Sequence, residues 1–125
     1  KEHGEQESYY DNGNLKSLAK YDRGKKVGDW IDYHPNGKVA GLMQHKKGVV
    51  AGKMRFYHPD GSIYYAAQRK YDPKNPNEKG PLHGKFLEKG ENDCLIRKGK
   101  FNMGKKTGRW IYYDQTGHEI GRERF

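Results

Sequence analysis

GDWIDYHPNGKVAGLM, residues 28–43, has one short run rich in aromatic and aliphatic residues before a Pro-Asn-Gly sequence, at 30–33, and another after it, at 39–43. Such runs on either side of turn residues are typical of β-strands. Asn-Gly is typical of a tight turn, because glycine adopts a positive φ at no steric cost. The stretch therefore predicts a β-hairpin made of a strand, a turn and a second strand.

The same pattern recurs along the chain, mostly with a period of 24 residues. Five glycines stand in register: Gly4, Gly28, Gly52, Gly84 and Gly108. Five positions after the glycine, four of the five units carry tyrosine, namely Tyr9, Tyr33, Tyr57 and Tyr113. Nine positions after it, four units carry the turn glycine, and the fourth unit carries Asp93 instead. Self-similarity at this period predicts a stack in which each unit covers the next.

We therefore predict an all-β fold, an elongated stack of about five antiparallel β-hairpins in a single domain, residues 1–125. The units run over about 4–27, 28–51, 52–83, 84–107 and 108–125. The third unit is longer than the others, and its extra residues are expected to form a surface loop at 73–79, PKNPNEK, because charged and proline-bearing segments are typical of loops.

Two columns of the repeat bear on the packing. The position two after the repeat glycine is expected to form an apolar core, since it holds Trp30, Met54, Phe86 and Trp110. The position seventeen after the repeat glycine holds Phe101 in the fourth unit and Arg69 in the third. We expect the alignment of the third unit to be shifted by two residues here, so that Tyr71 and not Arg69 is the counterpart of Phe101.

Composition limits the class of protein. Only 32% of the residues are hydrophobic and the formal net charge is +9, so a large conventional core is excluded. No apolar run is long enough to cross a bilayer and no signal peptide opens the chain, which predicts a soluble protein. The sequence begins at Lys1, so the compartment stays open between the cytoplasm and, where an export signal was removed, the cell envelope or exterior.

Residues that could perform catalysis or hold a metal are explained by the turns in which they occur. His34 and His58 share one column, but no cysteine or carboxylate is placed to complete a tetrahedral set. Aspartates stand in or beside turns, where Asp is favoured for local backbone bonding. The lone Cys94 permits no internal disulfide. We predict no enzymatic activity, no cofactor and no metal site.

Positive charge recurs in the turn that precedes each unit, and stacking is expected to gather it along one edge of the sheet. The residues of this lysine edge are Arg23, Lys25, Lys26, Lys46, Lys47, Lys105 and Lys106. Lysine protects exposed turns and strand edges from aggregation, but such an edge also attracts acidic partners. Anionic phospholipid is one such partner, with Val49 and Val50 as a small apolar tip. Nucleic acid is disfavoured, because no base-stacking aromatics are confined to that surface.

The phrases GDWIDYHPNGK (28–38) and GRWIYYDQTG (108–117) resemble the bacterial variant of the MORN repeat. The resemblance extends from about Gly4 to Phe125. It implies an elongated, twisted stack of hairpins without shared catalytic residues. Many bacterial members are labelled antitoxins, others are predicted lipoproteins or secreted proteins, and eukaryotic relatives are scaffolds and proposed phospholipid binders. The chain departs from the pattern in the long third unit and at 89–93, KGEND.

These observations favour a non-enzymatic scaffold for protein recognition, with a protein partner of unknown identity. Tyr9, Tyr33, Tyr57 and Tyr113 form the candidate partner surface where they face solvent, and set the strand register where they are buried. The antitoxin role is implied by the resemblance alone. Peripheral binding to anionic membrane through the lysine edge is the alternative. The end hairpins expose strand edges, so a monomer and an edge-paired homodimer both stay open.

Overall fold

The computed structural model describes residues 3–90 and 94–125, which form a single antiparallel sheet. The strands are β1 (His3–Tyr9), β2 (Leu15–Asp22), β3 (Lys25–Lys26), β4 (Gly28–Tyr33), β5 (Val39–Lys46), β6 (Val49–Tyr57), β7 (Ile63–Arg69), β8 (Gly84–Lys89), β9 (Leu95–Asn102), β10 (Lys105–Tyr113) and β11 (Glu119–Arg124). Each strand pairs with its neighbours in chain order, while the short β3 pairs with β2 only. The predicted all-β stack of hairpins is confirmed.

The connection inside the first, second, third and fifth hairpins is a turn with a bulge. In the second hairpin, Gly37 N–H donates to His34 O (2.9 Å) and His34 N–H donates to Lys38 O (2.7 Å). Gly37 has φ +90°, while Asn36 keeps a negative φ and accepts a bond from Lys38 N–H through its Oδ1. Glycine is needed at the one left-handed position that opens the second strand. Asp93, predicted to take this place in the fourth unit, lies outside the described residues.

The connections between hairpins are the tighter ones. Lys47 and Gly48 both have positive φ, at 52° and 93°, and the pairs Arg23-Gly24 and Met103-Gly104 repeat this geometry. Two consecutive residues in this region form a type I′ turn, whose twist matches that of the flanking strands. Successive turns are also bonded to one another, because Gly48 N–H donates to Lys26 O at 2.9 Å.

One face of the sheet carries the core and is here called the aromatic face. Met54, Ala67, Phe86 and Trp110 are buried, and Trp110 has no exposed surface. Phe101 extends this cluster, because its ring makes an edge-to-face contact with that of Phe86 at a centroid distance of 5.3 Å. The predicted core column is therefore buried in the middle and end of the stack. It weakens towards the first units, where Trp30 is half-buried and Gln6 is exposed.

The predicted slip of the third unit is wrong. Gly52 pairs with Arg69 just as Gly84 pairs with Phe101. Arg69 keeps this place because its guanidinium donates to Gly80 O at 2.8 Å. Tyr71 lies beyond the end of β7, where the ammonium of Lys46 stands 5.0 Å from its ring centroid.

The longer third unit leaves the sheet between two paired residues. Lys70 N–H donates to Pro81 O at 3.0 Å, and Gly80 N–H donates to Val50 O at 3.2 Å. Residues 73–79 between them are exposed and contain no strand. None of the described residues belongs to a helix of the length and hydrophobicity needed to cross a membrane.

Candidate functional site

The second face of the sheet, here called the open face, presents a row of side chains that cross it from strand to strand. Direct pairing places Arg55 opposite Ala66, Ala66 opposite Leu87, Leu87 opposite Lys98, and Lys98 opposite Ile111. Neighbouring strands are about 4.8 Å apart, so these five residues span roughly 19 Å. All of them except the exposed Lys98 are half-buried.

This row forms the floor of a groove of about 600 Å³ in the C-terminal half of the sheet, here called the cationic groove. Its apolar floor consists of Ala66, Leu87 and Ile111. Five basic side chains line it: Arg55, Lys85, Lys98, Lys100 and Arg109. The groove therefore combines apolar contact area with positive charge from β6, β8, β9 and β10.

The charges of the groove lie in well-defined places. The guanidinium of Arg55 donates to Met54 O (3.1 Å) and Ala67 O (3.3 Å), which holds it against the sheet. Lys85, Lys98 and Lys100 are exposed. Since charges of one sign in a shared depression reinforce one another, the electrostatic potential of the groove is positive.

One carboxylate lies close enough to interact with this charge. Arg109 and Lys98 both lower the pKa of Glu119, although the larger cause is the hydrogen bond that Glu119 accepts from Arg122. Glu119 and Arg122 form an ion pair on β11. Among residues 3–90 and 94–125, no salt bridge holds a basic residue of the groove.

The tyrosine column lies at the ends of the first strands of the hairpins, beside the turns. Tyr9 is exposed, and the others, Tyr33, Tyr57 and Tyr113, are half-buried. The hydroxyl of Tyr9 donates to Glu7 at 2.6 Å, and this bond raises the pKa of Tyr9. None of these tyrosines is among the residues that line the cationic groove. Its role as a partner surface stays a prediction.

The turns beside this column are linked from unit to unit. Tyr10 O–H donates to Tyr33 O (2.6 Å), and one unit later His34 Nε2 lies 2.9 Å from Tyr57 O. His34 therefore uses that nitrogen to join two turns. Within the described ranges, no group of three or more His, Cys, Asp or Glu side chains is placed to hold a metal ion.

The lysine edge lies at the opposite ends of the strands, and two of its members pack on the aromatic face. Lys26 Nζ stands 4.4 Å from the ring centroid of Trp30, and Lys106 Nζ stands 4.9 Å from that of Trp110. The other basic residues, Arg23, Lys25, Lys46, Lys47 and Lys105, are exposed. Val50, proposed as part of an apolar tip, packs instead against the buried cluster.

Sequence reasoning missed the cationic groove. The signal was available one position after the repeat glycine, where the units carry in turn Glu5, Asp29, Lys53, Lys85 and Arg109. That column changes from acidic to basic along the stack. Columns chosen for glycine and aromatic residues do not reveal it, because its members share a position but not a residue type.

A comparison with protein-family models finds matches to one family, described as a MORN repeat variant. The matches cover residues 2–23, 26–47 and 51–73. These three segments correspond to the first three hairpins and to more than half of the chain. Neither a curated protein nor a solved structure matches the chain.

Proposed function

Because the chain belongs to the MORN repeat variant family, we propose that it is a non-enzymatic scaffold that holds a partner protein against its open face. The observation that carries this proposal is the cationic groove, where half-buried apolar side chains and positively charged side chains occur together on one face of the sheet. Repeat proteins use such continuous surfaces to hold partners. Leu87 and Ile111 supply apolar contact area at the centre, and the basic side chains form a polar rim.

Site-specific cross-linking tests this proposal. A photo-reactive amino acid is placed at Ile111, inside the groove, and in a matched chain at Gln115, an exposed residue in a turn. In the native cells, the Ile111 chain is expected to give a discrete cross-linked protein species that mass spectrometry identifies. Equal labelling from Gln115, or no adduct from Ile111, would contradict a recognition surface on the open face.

The finer proposal is that the partner is a toxin and that the chain neutralises it. Support comes from the family resemblance. The basic groove suits a toxin with an acidic surface. It does not suit inhibition of a nuclease by mimicry of nucleic acid, because that mechanism needs an acidic inhibitor. Reading frames adjacent to the gene are expressed singly in a test bacterium. The expected result is one that arrests growth and is relieved by this chain. If no neighbour is toxic, the antitoxin role fails while the scaffold role stands.

Attachment to anionic membrane is the second candidate function, and the exposed lysines of the lysine edge favour it. Lys47 lies in a turn, and Lys25 and Lys105 begin β3 and β10 at the same edge. Each basic residue near an anionic surface contributes about 1 kcal/mol. Co-sedimentation with phosphatidylserine vesicles at low and high salt tests this candidate. Binding that is lost on charge reversal of these three lysines supports it, and the absence of binding at low salt rejects it.

A further inference from the structure

We propose that the cationic groove binds an acidic, amphipathic protein segment, in which carboxylates alternate with aliphatic side chains. This inference rests on the proposed scaffold function and specifies the partner that the scaffold recognises. The carboxylates would meet the basic rim, and the aliphatic side chains would cover the apolar floor.

The charge of the groove is a local property of the last units and not a consequence of the repeat. Arg109 occupies the same column as Glu5 and Asp29 in the first two hairpins. A surface that needed only solvation would not require the sign of this column to change along the stack. The groove thus differs in charge from the same column in the first two hairpins, where Glu5 and Asp29 stand.

The floor makes the groove more than an anion site. Leu87 and Ile111 flank Lys98 on adjacent strands, so apolar side chains lie on both sides of a basic one in the row. An extended segment rises about 3.3 Å per residue, so the roughly 19 Å row accommodates about six residues. The volume of about 600 Å³ lies within the range typical of ligand sites, about 300–1,000 Å³.

A protein segment fits these residues better than a nucleic acid does. Single strands are held by bases that stack on aromatic rings, whereas Phe86, the aromatic residue among those that line the groove, is only 5% exposed. The nearest aromatic cluster, around Phe86 and Trp110, is buried on the other face. A polyanion without apolar groups would contact the rim alone and leave the floor exposed.

The rim is available to a partner. Arg55 is already positioned by two backbone carbonyls, so little of its conformational freedom is lost on binding. Glu119, the carboxylate whose pKa responds to Arg109 and Lys98, is paired with Arg122. An acidic segment can therefore approach without first displacing a salt bridge from the five basic residues within the described parts of the chain.

Peptide selection on the full chain tests this inference. A displayed library of random 12-residue peptides is selected on the wild-type protein, and enriched peptides are synthesised and measured by fluorescence anisotropy. We expect the enriched peptides to combine Asp or Glu with Leu, Ile, Val or Phe. Their affinity is expected to fall about tenfold or more for the double variant Lys98→Glu, Lys100→Glu, since the reversed charges repel the carboxylates.

The matched control carries the same change of net charge at the lysine edge, in the double variant Lys25→Glu, Lys46→Glu. All four lysines are exposed, and circular dichroism and urea unfolding verify that both variants are folded. Lys46 lies four residues along β5 from Leu42, the partner of Arg55, and Lys25 lies still further from the groove on β3. At about 3.3 Å per residue this separation exceeds a Debye length of about 8 Å at physiological salt, so the control is expected to bind the peptides within about twofold of wild type.

Three results would overturn the inference: enriched peptides without acidic residues, equal loss of affinity in both double variants, or unchanged affinity when the aliphatic residues of a peptide are replaced by serine. A 12-nucleotide single strand that binds the groove more tightly than the peptides would also reject it. If the Ile111 cross-linker captures a partner while acidic peptides fail to bind, the scaffold function stands and only this specificity is wrong.

Discussion

Trp110 lies flat on Gly99, and the indole ring fills the space that any larger residue at position 99 would need. A Cβ atom added at Gly99 would overlap ring atoms Cδ2 and Cε2 of the fully buried indole. The same indole donates from Nε1 to Lys100 O at 3.0 Å, as Trp30 does to Lys20 O at 3.2 Å. Each tryptophan thus locks its own hairpin to the hairpin before it.

Gly99→Ala is therefore expected to destabilise the protein by about 1–3 kcal/mol, the usual cost of overpacking a core. Urea unfolding measures the change in free energy. Gly121→Ala is the matched control, since Gly121 has no positive φ and an added Cβ meets no atom within 4 Å. Equal stability of the two variants would show that the indole does not lie on Gly99.

Lys106 is expected to stabilise the fold more than its neighbour Lys105. Lys106 Nζ lies 4.9 Å from the Trp110 ring centroid and 3.0 Å from Tyr112 Oη, whereas Lys105 is exposed. Replacing Lys106 by Gln should cost about 0.5–1 kcal/mol of unfolding free energy. Replacing Lys105 by Gln should cost less than about 0.5 kcal/mol. A larger loss at Lys105 would contradict this packing.

Acid is expected to destabilise the protein through His45. Burial lowers the pKa of His45, and nearby Lys26 lowers it further against the opposing bond to Met43 O. The unfolded chain therefore binds a proton near pH 6.5 that the folded chain does not, so stability falls as the pH drops below about 6.5. Urea unfolding at pH 7.5 and 5.5 is expected to show a smaller difference for His45→Gln than for wild type. An equal difference would contradict this assignment.

The long loop of the third unit, between Lys70 and Pro81, is expected to be dispensable for folding. Lys70 and Pro81 are bonded like the residues that flank a two-residue turn. Deleting residues 71–78 leaves Lys79-Gly80 between them, the same pair as Lys47-Gly48. Because shortening a loop lowers its closure entropy only modestly, the free energy of unfolding should change by less than about 1.5 kcal/mol. Loss of the folded sheet on deletion would show that 71–78 is an integral part of the stack.

The hairpins, the turns and the aromatic core were predictable from the sequence because each depends on residues close together in one unit. A glycine with positive φ opens each of the five units, and a large apolar residue follows two positions later in the last four, at Trp30, Met54, Phe86 and Trp110. The wrong prediction for Tyr71 also came from reading the pattern of one unit. Because the other units suggested an aromatic residue seventeen positions after the repeat glycine, Tyr71 was expected there. Arg69 occupies that position, and its guanidinium donates to Gly80 O in the neighbouring segment.

The cationic groove could not be read from any single unit. Lys85, Lys98 and Arg109 come from three strands, and only their pairing places them around Leu87 and Ile111. The lysine edge was predicted as one charged surface, but Lys26 and Lys106 lie against indole rings. Side chains this long take their final positions from neighbouring units, which the period of the sequence does not specify.

Cysteine labelling of adjacent residues tests most directly whether the stack has one covered and one open face. In a Cys94→Ser background, single cysteines replace Met54 and Phe86, which are buried, or Arg55 and Leu87, the next residues along the same strands. Circular dichroism and urea unfolding first establish that each variant is folded. A thiol reagent is expected to react at positions 55 and 87 more than about tenfold faster than at 54 and 86, since side chains alternate between the faces of a sheet. Equal rates at neighbouring positions in folded variants would contradict a sheet with one covered and one open face.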